Sequence, residues 1–178
     1  MSPHPNRRTG ATHARGHTST RRALLRVIGG TALLGSVPAV ASAQQPQMGT
    51  GTGQITNLEI TNTRYADGVR HEDRHLEGTI SGTLDGTFEE DVSGTVFPSG
   101  RVVLHGTMTF TGQVADCGTG TLHLKVSGQG TVTDPAGPIV DSTVRVVDQA
   151  ANTLNVTGQG TVRQEGPNLS YDVQYRCR

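Results

Sequence analysis

Residues 71–78 of the chain read HEDRHLEG, which matches the HExxH pattern of zinc hydrolases. In those enzymes two histidines one helical turn apart bind the metal, and the glutamate between them activates a metal-bound water. The flanking residues here, ADGVR and GTISGTLDGT, are typical of a turn followed by a strand. On a strand His71 and His75 would lie about 13 Å apart, because each residue advances the chain by roughly 3.3 Å. We therefore predict no metal site, and a zinc hydrolase is only a remote alternative.

Glu72 and Arg74 share the other face of this strand, together with Leu76 and Ile80. Charges on an apolar face are expected either to pair with each other at a rim or to act on a ligand, by orienting it or by acid–base chemistry, and both interpretations stay open. No nucleophile stands beside a base in a recognisable pattern, so no catalytic residue and no cofactor is predicted. Aromatic and methionine side chains on other apolar faces would line a cavity with these charges or fill the core. The predicted cavity residues are Glu72, Arg74, Phe88, Met108, Phe110, Tyr171 and Tyr175.

The elements that position these residues are strands. Apolar and polar residues alternate over residues 101–114, and the same period of two recurs in several other stretches, as in half-buried strands. Asp67-Gly68 and Asp85-Gly86 are typical of two-residue hairpin turns, although a kink at the second would leave seven strands. Short connections favour antiparallel neighbours, so we predict an all-β fold, a single antiparallel up-and-down barrel of about eight strands. The predicted strands are about 55–65, 69–84, 87–97, 101–114, 121–132, 139–147, 154–163 and 169–176.

A repeated glycine-rich phrase supports the barrel. SGQGTV at 127–132 returns as TGQGTV at 157–162, with both glycines of each copy on the apolar face. Glycine inside a strand marks a bend, a bulge or the close approach of another backbone, and a small curved barrel needs such positions. A phosphate-binding loop is the less favoured interpretation, because no helix follows the phrase.

The first 43 residues are expected to be an export signal. The stretch TRRALLR at 20–26 resembles a twin-arginine (Tat) signal, and the apolar stretch 27–40 is too short to span a membrane. The residues ASA at 41–43 are typical of a cleavage site. We therefore predict an extracellular protein cleaved after Ala43, with a flexible segment at 44–54 and a barrel domain at 55–178.

Removal of this signal makes the chain acidic. Six arginines leave with it, so nine Lys and Arg remain against fifteen Asp and Glu, a net charge of −6. Such a chain, with Lys125 as its single lysine, lacks the clustered basic charge that nucleic acids and anionic membranes require. We predict no nucleic-acid partner and no stable membrane insertion, and the oligomeric state stays open.

The two cysteines, Cys117 and Cys177, predict a disulfide in an exported chain, with two free thiols as the alternative. Both follow strands that end on the same side of the predicted barrel, but on roughly opposite walls. A bridge would therefore require the C-terminal tail or the loop 115–120 to cross that end.

Three phrases carry a resemblance to a known family: LEGTISGTLDGTF, SGRVVLHGTMTFTGQV and ANTLNVTGQGTVRQEG. They resemble the glycine–threonine strands of bacterial allene oxide cyclase-like barrels, a superfamily shared with the plant cyclases and dirigent proteins. The resemblance covers about residues 76–176. It implies an eight-stranded barrel with an apolar central cavity, in which members hold reactive small molecules in a shape that cyclises or couples. No residue matches the catalytic residues of the plant enzymes, so none is carried over.

These observations together predict an exported barrel that binds a small apolar or mixed-polarity molecule in its central cavity, either as a carrier or as a cyclase-like shaping enzyme. The alternative is a solidly packed structural or surface-interaction module without catalysis. Inward glycines favour a cavity, whereas inward valines and leucines favour solid packing.

Overall fold

The computed structural model describes residues 45–133 and 137–178, which form a closed barrel of eight strands. Each strand pairs antiparallel with the next, and the last pairs with the first. This confirms the predicted up-and-down barrel, whereas the predicted signal at 1–43 lies outside the described residues. None of the described residues forms a helix long and apolar enough to cross a membrane. The strands are β1 (Gln47–Ala66), β2 (Val69–Gly82), β3 (Leu84–Val96), β4 (Arg101–Val114), β5 (Gly118–Thr133), β6 (Gly137–Val146), β7 (Val156–Glu165) and β8 (Asn168–Cys177).

Two boundaries differ from the prediction. β1 begins at Gln47, so most of the segment 44–54, which was expected to be flexible, is strand and pairs with β8. The connection between β2 and β3 lies at Thr83, after Gly82 with a φ of 116°. Glycine reaches this φ without steric cost, which lets the chain turn. Asp85-Gly86 was wrongly predicted as the turn and belongs to β3.

The barrel has two unlike ends. One end, here called the hairpin end, carries the tight turns 67–68, 97–100 and 166–167. The other, here called the disulfide end, carries Cys117 and Cys177, whose Cα atoms are 5.3 Å apart in the predicted disulfide. The loop 147–155 lies at the same end, and its Leu154 is buried in the core. The disulfide end is therefore closed by a covalent bond and a packed loop.

The interior of the barrel, its lumen, is filled mainly by aliphatic and aromatic side chains. The most deeply buried of these come from the adjacent strands β3, β4 and β5 and lie in the middle of the barrel and towards the disulfide end. Burial of one such side chain contributes about 1.5–3 kcal/mol, so this cluster makes a substantial contribution to the stability of the barrel. Its members are Phe88, Phe110, Val114 and Leu122.

The inward glycines of the repeated phrase mark close approaches between strands. A Cβ atom at Gly130 would lie 2.0 Å from the carbonyl oxygen of Ile139 on β6, and one at Gly160 would lie 2.4 Å from that of Asp172 on β8. No side chain tolerates such a distance, so only glycine fits at these positions. The close backbone approach expected from the sequence is confirmed at both.

We expect Gly130→Ala to lower the free energy of unfolding by about 1–3 kcal/mol, because the added methyl group must force β5 away from β6. Urea unfolding followed by circular dichroism measures the loss. Gly94→Ala on β3 is the matched control, since its Cβ would meet nothing nearer than 3.9 Å. That change should be neutral or stabilise by up to about 1 kcal/mol. Equal losses in the two variants would contradict the explanation.

Candidate functional site

The candidate site lies in the lumen near the hairpin end, on the paired strands β2 and β3. Leu76 of β2 pairs with Glu90 of β3, which in turn pairs with the buried Met108 of β4. Because residues two apart on a strand share a face, the even-numbered residues of β2 and β3 point inward. Glu72 and Arg74 therefore face the lumen, as their place on the apolar face predicts.

Two arginines hold the carboxylate of Glu72, which is only 4% exposed. Arg70 Nε lies 2.8 Å from Glu72 Oε1, an ion pair rather than an aligned hydrogen bond. Arg74 donates from Nε to Glu72 Oε2 at 2.8 Å and also from Nη2 to the same oxygen. A buried carboxylate requires partners of this kind to offset the loss of hydration. Glu72 and Arg74 thus pair with each other, which is one of the two interpretations the sequence left open.

Glu90 has no such partner. Its side chain is partly buried in the lumen, and no described residue forms a hydrogen bond or an ion pair with its carboxyl group. Burial, and secondly the negative charge of Asp91, raises the pKa of Glu90 to about 7. At neutral pH this carboxyl group is therefore close to half-protonated and able either to donate or to accept a hydrogen bond.

A cavity of about 50 Å³ lies beside Glu90. One water molecule requires about 10–15 Å³ measured in this way, so the cavity holds only a few waters. Arg74 and Glu90 supply its charged groups. Gly94 also lines the cavity, and because it has no side chain it leaves space there. A second cavity of about 30 Å³ lies towards the disulfide end among mostly aliphatic residues. The apolar wall of the larger cavity includes Ile55, Leu76, Phe88, Met108, Val126 and Leu169.

Several of the predicted cavity residues meet at this place. Arg74, Phe88 and Met108 line the larger cavity, and Glu72 holds the guanidinium group of Arg74. Phe110 is 1% exposed and lies in the core between the two cavities. The predicted set therefore divides into residues that face the free volume and residues that fill the barrel.

The two tyrosines of β8 lie away from this cavity. The Tyr171 hydroxyl accepts a hydrogen bond from Leu84 N at 2.8 Å and lies 3.3 Å from the carbonyl oxygen of Ser81, so it ties β8 to the β2–β3 connection. Tyr175 lies in the core beside the smaller cavity. Burial raises the pKa of both hydroxyl groups. Tyr171 thus has a clear structural role at the disulfide end.

The two histidines of the HEDRH stretch point outward from β2 towards different partners. His71 Nδ1 lies 3.1 Å from Thr95 Oγ1, and His75 Nδ1 lies 2.8 Å from Asp91 Oδ1. The hydrogen bond to Asp91 raises the pKa of His75. The motif lies on a strand, as the flanking residues predict. Over residues 45–133 and 137–178 no three potential ligands cluster closely enough to hold a metal ion.

Glu90 and Gly94 are among the cavity residues that sequence reasoning missed, and they matter most for the chemistry of the site. The signal was present, because Phe88, Glu90 and Val92 follow the period of two and place a glutamate among inward residues. The pattern does not show which charges pair inside the barrel. Arg74 is turned towards Glu72 on its own strand, and this leaves Glu90 alone.

Comparison with known proteins identifies the fold of the barrel. No family model matches the chain, and no curated protein matches it. The structure is similar to that of a protein of unknown function from the DUF3224 family of Shewanella oneidensis MR-1, with 18% sequence identity and a TM-score of 0.58, over 75% of this chain and 99% of that one. A protein of unknown function from Clostridium acetobutylicum ATCC 824 is similar at 13% identity and a TM-score of 0.43, over 76% and 100%. The first similarity shows a shared β-barrel fold.

Proposed function

We propose that the lumen near the hairpin end binds a small, mostly apolar molecule that carries a hydrogen-bond donor, in the strongest case a protonated amine. The observation that carries the proposal is Glu90, whose carboxyl group faces a cavity, has a raised pKa and lacks a partner among the described residues. An unpaired carboxylate in a protein interior costs stability. Strongly perturbed groups of this kind are concentrated at binding and catalytic sites.

The cavity limits the size and the charge of the ligand. A volume of about 50 Å³ admits only a few non-hydrogen atoms, so the ligand is very small or inserts one end. The wall of Leu76, Phe88 and Met108 suits an alkyl or ring group. The cation of Arg74 already pairs with Glu72, which leaves Glu90 as the unpaired charge. An amine therefore fits this lumen better than a carboxylate does.

The proposal is limited to binding. Among the described residues that line the lumen, no hydroxyl or thiol group is hydrogen-bonded to a basic side chain, so an activated nucleophile is lacking. The cyclase-like activity that the family resemblance implies would use the same cavity to shape a reactive molecule. Turnover of such a molecule would extend the proposal from binding to catalysis.

We also propose that the protein acts outside the cytoplasm. The sequence supports this through the Tat-type signal predicted at 1–43. The disulfide between Cys117 and Cys177 is compatible with export, because disulfides persist in oxidising compartments.

The second candidate function is a solidly packed structural module. It is favoured by the small volumes of the two lumen cavities, about 50 and 30 Å³. It is also favoured by inward glycines such as Gly130, which touch a neighbouring backbone and leave no free space. The two candidates differ in what they expect of Glu90, because a packed module has no use for an unpaired carboxyl group.

n-Butylamine and n-butanol are matched probes for these candidates, since they share an alkyl chain and differ in charge. We expect n-butylamine at about pH 8 to shift the NMR signals of the Leu76 and Met108 methyl groups. We expect it to bind about tenfold more tightly than n-butanol, because its ammonium group forms an ion pair as well as a hydrogen bond with the Glu90 carboxylate, whereas the hydroxyl group of n-butanol forms a hydrogen bond alone. Glu90→Gln should remove this preference.

Gly94→Leu tests the location, because the new side chain would fill the cavity. The variant should fold, as its Cβ meets no atom nearer than 3.9 Å, and it should no longer bind n-butylamine. Thr107→Leu is the matched control, since it adds a leucine at an exposed position on the outer face of β4. Failure of the wild-type protein to bind n-butylamine would leave the packed module as the better account.

A further inference from the structure

Within residues 45–133 and 137–178, the second half of β1 has a free edge. β1 pairs with β8 only from Gln47 to Gln54, followed by one hydrogen bond from Ile55 N to Pro167 O. Over residues 56–66 it pairs with β2 alone, and no described strand pairs with its other edge. Every residue in this stretch is exposed. The described part of the chain therefore leaves the backbone groups on this edge without a strand partner.

This free edge also exposes apolar side chains. Leu58, Ile60 and Tyr65 are 44%, 49% and 73% exposed. An unpaired strand edge is a template for another strand, and proteins commonly guard such edges with lysine, proline or β-bulges. Residues 56–66 contain no lysine and no proline. Their bulges lie at Thr56 and Thr61, where the register with β2 shifts.

We propose that this edge pairs antiparallel with the same edge of a second copy of the chain. The twofold axis passes between Thr61 and Asn62. In this register Glu59 lies opposite Arg64 of the second copy. The twofold axis repeats this contact, so the dimer contains two Glu59–Arg64 ion pairs. Opposite charges directly across two strands stabilise their pairing.

The faces of the strand agree with this register. The pairing with β2 places four residues of the free edge on the inner face and the two charged residues on the outer face. Antiparallel pairing must join residues of the same face, and a slip by one residue would join inner to outer side chains. A slip by two would separate Glu59 from Arg64. The cross-strand pairs are Leu58 with Tyr65, Ile60 with Thr63, and Glu59 with Arg64.

The length of the free edge fits as well. Pairing of Asn57 with Ala66 at each end of the ladder uses almost the whole stretch that β8 leaves uncovered, up to the turn at Asp67-Gly68. The bulge at Thr61 lies beside the axis, so the irregularity of one copy meets that of the other. Two barrels would thus share one continuous sheet, a form of β-strand addition.

Analytical ultracentrifugation of the purified full chain at micromolar concentration tests this proposal, and we expect a dimer. Glu59→Arg places two arginines opposite each other, and Arg64→Glu places two glutamates there. Each should weaken dimerisation by about tenfold, since both ion pairs of the dimer become repulsive. The double exchange Glu59→Arg/Arg64→Glu restores opposite charges and should restore the dimer.

This rescue distinguishes the proposed contact from general damage, because both residues are exposed and the single variants should keep their far-ultraviolet circular dichroism. Glu89→Arg on the outer face of β3 is the control and should leave the dimer unchanged, as it lies on another part of the surface. A monomeric wild-type chain would overturn the proposal, whatever else occupies the edge. A dimer that neither single exchange weakens would also overturn it, because such a dimer must use a different surface.

Discussion

Glu90→Gln is expected to stabilise the barrel at about pH 8 by up to about 3 kcal/mol. At that pH the wild-type lumen contains a carboxylate that has no partner among the described residues. A pKa of about 7 in place of 4.5 corresponds to a free-energy cost of about that size. Glutamine has nearly the shape of the protonated glutamate and does not ionise, so the variant avoids the cost.

The effect has a defined pH range. Well below pH 4.5 Glu90 is protonated in both the folded and the unfolded chain, and its ionisation costs nothing. As the pH rises from 4.5 to about 7 the unfolded chain ionises first, so the wild-type free energy of unfolding falls. Above about pH 7 the folded chain is ionised too, and the full cost is present. The variant lacks this fall. The free energies of unfolding of the wild-type protein and of Glu90→Gln should therefore diverge only between pH 4.5 and about 7.

Urea unfolding of both chains at several pH values measures this difference. Glu89→Gln is the control, because Glu89 precedes Glu90 on β3 but points outward and is exposed. It should change the free energy of unfolding by no more than about 0.5 kcal/mol. A loss of stability in Glu90→Gln at about pH 8 would mean that the carboxylate has a stabilising partner. The proposed binding function would then lose the observation that carries it.

The paired change Cys117→Ser/Cys177→Ser is expected to lower the free energy of unfolding by about 4 kcal/mol. The two cysteines are 60 residues apart in the sequence, and in the chain-entropy model a cross-link of this length restricts the unfolded chain by about that amount. Urea unfolding of the oxidised protein and of the double variant gives the difference.

Wild-type protein treated with a reductant is the control for this prediction and should agree with the double variant. A loss below about 1 kcal/mol would show that the loop 147–155, with its buried Leu154, holds the disulfide end without the bond. The disulfide and Glu90 are on different parts of the barrel, so their effects should add when both are changed.

The period of two and the turn signals together predicted all eight strands, but they missed the start of β1. In the stretch MGTGTGQ the inward positions are held by Gly49, Gly51 and Gly53, so no apolar side chain marks the inner face. The structure explains these glycines, because a side chain at Gly49 would meet Thr83, one at Gly51 would meet Tyr171, and one at Gly53 would meet the carbonyl oxygen of Thr79. A strand whose inner face is filled by its neighbours looks like a flexible segment in the sequence.

The turn at Asp85-Gly86 was mispredicted for a related reason. Gly86 faces inward on β3, and a Cβ there would lie 2.3 Å from the carbonyl oxygen of Thr111 on β4. The dipeptide thus has the composition of a turn, while its glycine allows two strands to approach. Composition does not distinguish these two uses of glycine; only the pairing of β3 with β4 does.

For the site, the alternation of apolar and polar residues predicted which charged side chains face the lumen, but not which of them pair. Alternation placed Glu72 and Arg74 inside the barrel, and both are there. Alternation does not show which carboxylate an arginine pairs with, because that depends on the distances between side chains in the folded sheet. The isolation of Glu90 follows from the preference of Arg74 for Glu72, which only the folded structure reveals.

Closure of the barrel by β1 and β8 has a consequence for the order of the chain. Gln47 at the start of β1 lies opposite Tyr175 near the end of β8, so the two ends of the barrel sequence are neighbours. A short linker between them would convert this seam into one more hairpin, equivalent to the other antiparallel pairs. New ends opened at the turn 97–100 would then break no ladder, because that turn lies outside the strands. The barrel is thus suited to circular permutation, in which all eight strands keep their cyclic order and a different strand comes first in the sequence.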